Sequence, residues 1–212
     1  MVIIMKINNP KISKYEDKKI IDAYNENEYS NYKFSENSLD KLVISNNTFD
    51  SCIFEGIDFT NIELQDIDLI DVIFDGCDLS NKNFDDKLIS RVIFKNCKMV
   101  GVSFIGSSLR DIQFDNCCLQ YLNLSSSRIN SILIRNSDLS EATFMETDIK
   151  NIVLEKVNLY RTEFIRTRLN DVDFSDSDIS GTIFDFYSLK GIVVDRFQCQ
   201  NLVGMLGVQI KD

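Results

Sequence analysis

The chain contains no histidine, which removes the commonest general base and the commonest zinc ligand together. Its six cysteines never adopt Cys-x-x-Cys spacing, and the adjacent Cys117 and Cys118 are a poor chelate by themselves. Six cysteines in 212 residues also do not form the dense disulfide framework of a short secreted domain. No glycine-rich nucleotide loop is present, so the expectation is a non-enzymatic protein without cofactor or metal. Long apolar runs are missing too. The opening "MVIIM" is too short for a signal sequence core or a bilayer span, which leads to the expectation of a soluble, cytoplasmic chain with no membrane partner. Bases are outnumbered, with 23 Lys and Arg against 33 Asp and Glu and a net charge of −10. That balance argues against direct nucleic-acid binding and suits a basic partner.

What the chain does have is a period of five. In "SDLSEATFMETDIKNIVLEK", Leu139, Phe144, Ile149 and Leu154 recur at every fifth position. Five residues on an α-helix advance the side chain by about 500°, scattering such positions, and on a flat strand an odd step alternates faces. The register nevertheless runs unbroken from Phe34 to Val194 over 33 positions, all Phe, Leu, Ile, Met or Val. A single inserted residue would have shifted its phase, so no loop interrupts it.

A period of twenty lies within it. Steps from Phe34 give Phe54, Phe74, Phe94 and Phe114, and steps from Ile44 give Phe84, Phe104, Phe144, Phe164 and Phe184, whereas the Leu39 and Phe49 series are chiefly aliphatic. If five residues make one side of a square, four sides make a coil and residue i+20 stacks above residue i. At roughly 4.8 Å per coil, eight coils form a rod about 40 Å long. Aromatic columns then face each other between aliphatic ones and fill the interior. Two residues before each register position, Cys52, Val72, Val92 and Ile112 also point inward, as do Ser107, Ser127, Thr147 and Thr167. Lys82 and Lys87 break that rule, so their segment should bulge outward or let both amines reach solvent.

The ends lose the period. Residues 1–29 are expected to form an N-terminal cap with a short helix, residues 30–194 about eight coils, and residues 195–212 a C-terminal capping and dimerisation segment.

The motifs "CDLSN" at 77–81, "SDLSE" at 137–141, "VNLYR" at 157–161 and "SDISG" at 177–181 resemble the pentapeptide-repeat family. This resemblance implies an all-β fold, a right-handed quadrilateral β-helix. The tail "DRFQCQNLVGMLGV", from Asp195 to Val208, is similar to the end of the Qnr-type fluoroquinolone-resistance members. There, a short C-terminal helix joins two rods into a homodimer. On that resemblance, the partner is a type II DNA topoisomerase, gyrase or topoisomerase IV, protected from quinolones by DNA mimicry. The loop-free register looks like the members expected in Gram-positive bacteria.

Charge distribution bears on that expectation. Residues 30–196 hold 27 acids and 17 bases, whereas ~40 Å of B-DNA carries about 24 charges. Mimicry is therefore confined to part of the surface. The side centred on the Ile44 series carries Glu63, Asp66, Asp85, Asp86, Glu146, Glu163 and Asp185, and the side of the Leu39 series adds Asp40, Asp58, Asp78, Asp138, Glu141 and Asp178. Against these 13 acids stand Lys41, Lys82, Lys98, Arg161 and Arg166, a net of −8. The plain alternative is that these acids are the solvated face of any soluble solenoid and that each repeat Asp serves its turn.

Cys77, Cys97 and Cys117 should stack as a ladder, read as small core groups in preference to a redox or metal array. Ile53, Ile73 and Ile93 form an outward apolar stripe, interrupted at Gln113 and Asp173, which suits either a partner surface or β-branched residues on a flat sheet. Phe197, Leu202, Met205 and Leu206 are expected to close the last coil and form the dimer interface. The alternative function is a scaffold for some other protein partner.

Overall fold

The computed structural model describes residues 6–23, 28–35, 41–205 and 207–209, without the side chains of Asn201 and Met205. Every paired strand is parallel, and from Tyr29↔Phe49 onward each register offset is twenty. The longest strands, Leu42–Asp50, Ile62–Asp75, Leu88–Lys95 and Ser108–Asp115, stack in one ladder. The sides with less regular strand are joined by single bridges, such as Asp58↔Asp78 and Asn83↔Ser103. This is the four-sided β-helix that the period of twenty requires.

The corners explain the step of five. Twenty of the described non-glycine residues have positive φ, and all but Asn31, which stands two after Tyr29, occupy the second position after a register residue. At many corners the backbone N–H one residue later returns to the register carbonyl, as Lys82 N–H does to Leu79 O and Ala142 N–H to Leu139 O. This is a type II turn, whose third residue must be left-handed. Eleven of the twenty are Asn or Asp, the non-glycine residues that tolerate this region best. The turn therefore redirects the chain at a fixed spacing, which neither helix nor flat strand does.

The interior follows the expected columns. Phe34, Phe54, Phe74, Phe94 and Phe114 stack with ring centroids 5.0, 4.8, 5.0 and 5.1 Å apart and planes within 15°. Phe84 stacks on Phe104 at 5.3 Å, and Phe144 on Phe164 at 4.7 Å. Across the core, Phe94 meets Phe104 edge to face at 6.4 Å. Each such pair adds about 0.5–1.5 kcal/mol beyond the area it buries. Inward hydroxyls reach back one coil, Ser107 Oγ–H donating to Phe84 O at 2.6 Å and Thr147 Oγ1–H to Leu124 O at 2.8 Å, except Ser127, which bonds Leu124 O in its own turn.

The two lysines keep register. Ser103 N–H bonds Lys82 O and Ser108 N–H bonds Lys87 O, so the backbone does not bulge. Instead Lys87 Nζ leaves the wall to meet Asp66 at 2.6 Å, and Lys82 is half-buried. One local departure occurs in the last coil. Asp185–Leu189 makes a helical turn in which Ser188, fully buried, takes the inward place that spacing assigns to Tyr187.

Parallel pairing extends upstream of residue 30, where Glu16–Lys19 pairs with Tyr32–Ser35, followed by a short 3₁₀ helix at Ile20–Asp22. At the other end the helix Arg196–Met205 follows the last coil. Among the described residues, no helix is long and apolar enough to cross a membrane.

Candidate protein-binding surface

The repeat places an Asp or Asn one residue before many register positions, where its carboxylate or amide oxygen accepts the N–H two residues on. Asp58 takes Thr60 N–H at 2.8 Å, Asp78 takes Ser80 N–H at 3.0 Å, Asp138 takes Ser140 N–H at 3.0 Å and Asp178 takes Ser180 N–H at 2.9 Å. These four stand in one column of bridged residues, interrupted by Lys98, Cys118 and Asn158. Their first role is in the turn. Lys98 Nζ also lies 2.9 Å from Asp78. Burial raises the Asp78 pKa, but bonds from Ser80 and Lys98 outweigh it and hold the carboxyl below its ordinary range.

On the neighbouring side the acids differ in what they hold. Asp85 accepts Ile105 N–H at 2.7 Å, Ser103 Oγ–H at 2.5 Å and Asn83 Nδ2–H at 3.0 Å, so it ties two coils together. Asp66 pairs with Lys87 and Glu146 with Arg166. Glu63 accepts Gln65 Nε2–H at 2.6 Å, and Asp185 accepts Ser188 N–H at 2.8 Å and Arg166 N–H at 3.0 Å. Asp86 is exposed and Glu163 half-exposed, and neither carboxylate accepts a hydrogen bond among the described residues. Glu163 borders a shallow open depression with Glu141, Tyr160, Arg161 and Ile183. Lys82 sits amid Glu63, Asp58 and Asp78, its pKa lowered because desolvation outweighs their attraction. Asp40 lies outside the described residues.

The tail residues separate. Asp195 Oδ1 accepts the N–H groups of Phe197 and Gln198, while Gln198 Oε1 accepts Asp195 N–H at 2.8 Å, a reciprocal N-terminal cap. Leu202 packs against the core and Phe197 is 77% exposed. The Met205 side chain and Leu206 lie outside the described residues.

Cys77, Cys97 and Cys117 are buried in a stack, each thiol aimed at the carbonyl of Phe54, Phe74 or Phe94. Among the described residues, no group of three or more His, Cys, Asp or Glu could hold a metal ion.

Two family models match, the pentapeptide repeat region over residues 67–144 and pentapeptide repeats in 8 copies over 45–86 and 148–185. The chain belongs to the pentapeptide-repeat family. Among solved structures, a trypsin-treated form of QnrB1, a plasmid-mediated fluoroquinolone resistance protein, is 21% identical with a TM-score of 0.45, covering 84% of this chain and 95% of that one. HetL, involved in heterocyst differentiation regulation in the cyanobacterium Nostoc, is 15% identical with a TM-score of 0.33 over 88% and 92%. A pentapeptide repeat protein of the Arabidopsis thaliana thylakoid lumen is 22% identical with a TM-score of 0.35, over 50% and 63%. A comparison with curated proteins returned no match.

Sequence reasoning located the acids but not their employment. Asp85 and Asp138 are structural ties that the repeat pattern alone does not distinguish from free charges. Asp71, Arg91 and Asp111, spaced by twenty and alternating in sign, are the available signal for a polar column, which counting the charge of each side does not use.

Proposed function

We propose that this pentapeptide-repeat protein is a non-catalytic, cytoplasmic rod that binds the basic DNA-binding surface of a type II topoisomerase and protects the enzyme from quinolones. The supporting observation is two consecutive acidic sides on a rod whose offset of twenty is kept throughout. Acids repeat along such a rod at multiples of the coil spacing, in a rigid line suited to a groove that receives DNA. Among the described residues the carboxylates of Asp86 and Glu163 accept no hydrogen bond, so they would meet bases first. The Qnr-like tail supplies the second strand of the reading, a homodimer through the C-terminal helix with Phe197 at its contact.

The direct test is gyrase supercoiling with and without ciprofloxacin in the presence of the purified chain. Inhibition of supercoiling by the chain alone, and rescue from the drug, are expected. Asp86→Asn with Glu163→Gln should weaken both at least tenfold without changing thermal stability, because Asn keeps the left-handed corner at φ 57°. Equal potency of that variant would refute the acidic contact. No effect of the wild-type chain on gyrase or topoisomerase IV would leave the scaffold reading, a rod binding a different protein.

A further inference from the structure

Residues 6–12 do not join the coils; they lie along the outside of one corner. Asn8 Nδ2–H donates to Asp111 Oδ2 at 2.9 Å, and Gln113 Nε2–H donates to Asn9 Oδ1 at 2.8 Å. Three residues on, Lys11 N–H donates to Asp71 Oδ1 at 2.9 Å, and Lys11 O lies 3.4 Å from Ser51 Oγ. Asp111 and Asp71 stand two coils apart, about 9.6 Å, and three extended residues span about 10 Å. The segment therefore runs extended along the rod axis, and Pro10 crosses the coil that carries Arg91 and Ile93. Ile7, Pro10 and Ile12 are half-buried, while Lys6, Asn8, Asn9 and Lys11 are exposed. It touches the outward column of Ile53, Ile73, Ile93 and Gln113 at Gln113, and the three isoleucines, outward by spacing, are half-buried.

The corner is built to receive this segment. Asp71, whose side chain is only 7% exposed, accepts Arg91 Nε–H at 2.5 Å and Nη2–H at 2.6 Å as well as Lys11 N–H. A carboxylate so nearly buried needs its oxygens satisfied. One of its three donors comes from the segment. Gln113, which interrupts the apolar column, is the residue that holds Asn9.

We propose that residues 6–12 are a self-supplied strap that closes this corner and keeps the Ile53–Ile73–Ile93 column from pairing laterally with a second copy of the chain. Opening the strap exposes a flat apolar stripe on a rigid surface, the kind of patch through which solenoids associate. The strap lies away from the acidic sides, so the inference stands independently of the proposed partner.

Amide exchange of the full-length chain tests it, with two variants: Asn8→Ala combined with Gln113→Ala, and Lys11→Pro, which deletes the N–H that Asp71 accepts. In the wild type, the Lys11 amide should exchange at least tenfold more slowly than in a synthetic peptide of residues 6–14. Each variant should release the strap, raise bis-ANS fluorescence at least twofold and sediment as concentration-dependent oligomers, with amides of Leu88–Lys95 still protected. Free-peptide exchange of Lys11 in the wild type would overturn the strap. Release without dye binding or self-association would overturn its shielding role, and loss of coil protection in Lys11→Pro would show that the segment is not detachable.

Discussion

Gln198 donates its side-chain N–H to the carbonyl of Phe174, 24 residues earlier, at 2.8 Å, and to Ser177 O at 2.7 Å. A further coil would have paired Ser177 O, as Asp178 N–H pairs Val157 O, whereas Phe174 O also accepts Ser177 N–H at 3.0 Å within its own turn. One amide thus substitutes for the missing strand, while its oxygen returns to Asp195 N–H. Gln198→Leu should leave Ser177 O unsatisfied, while Phe174 O keeps Ser177 N–H, and destabilise the chain by about 1–3 kcal/mol. Asp195→Ala, which removes only the helix cap, should cost about 1 kcal/mol. Urea titration checks both, and equal stability of Gln198→Leu and wild type would contradict this closure.

Phe74 and Phe197 are opposed tests of the aromatic residues. Phe74 lies between Phe54 and Phe94 at 4.8 and 5.0 Å, so Phe74→Ala should cost about 3–5 kcal/mol through the cavity it leaves. Phe197, largely exposed, should be nearly neutral for monomer stability. If the proposed dimer forms through the tail, Phe197→Asp will halve the mass measured by light scattering at micromolar concentration. A wild-type chain that is already monomeric would reject the dimer.

The thiols should fall into two classes. Cys118 and Cys199 are exposed, and Cys52, Cys77, Cys97 and Cys117 are buried. Desolvation pushes the Cys52 thiol up to about 11, leaving almost no thiolate at pH 8. Ellman titration of the native chain should show two fast equivalents, with four more after denaturation. Rapid reaction of all six would contradict the packed ladder.

Acid should destabilise the rod. Burial raises the pKa of Asp71, but hydrogen bonds from Arg91 and Lys11 N–H outweigh it, and Arg135 lowers Asp115 in the same sense. A depressed folded pKa gives stability that is present above the unfolded value of about 3.9 and lost as pH falls through the folded one. Tm should therefore fall as the pH drops below about 4. Asp71→Asn should lower Tm at pH 7 and flatten that decline; an unchanged slope would remove Asp71 from the account.

Tyr121 holds φ of 60° at an exposed corner, a conformation that costs a non-glycine residue about 1–2 kcal/mol. Tyr121→Asn should raise stability by about 0.5–1 kcal/mol in thermal melts. Gly101→Ala should do the reverse, because φ is 70° there and an added Cβ would lie 2.7 Å from Asn81 Oδ1. A destabilised Tyr121→Asn would show that the ring has packing value at the surface.

The sequence by itself determined the coil. Side chains at a spacing of five and a return at twenty require a four-cornered coil, because every quintet must turn the same corner for Phe54, Phe74 and Phe94 to share a column. Cysteine burial, inward hydroxyls and the absence of inserted loops followed from the same arithmetic. Tertiary structure alone decided what lies outside the wall, since an outward residue carries no periodic constraint. Spacing could not tell that Asp85 ties two coils while Asp86 stands free, that Lys87 turns out to Asp66, or that Leu202 faces the core and Phe197 does not. Nor could it bring Asn8 to Asp111, a contact across 103 residues that depends on the rod already existing.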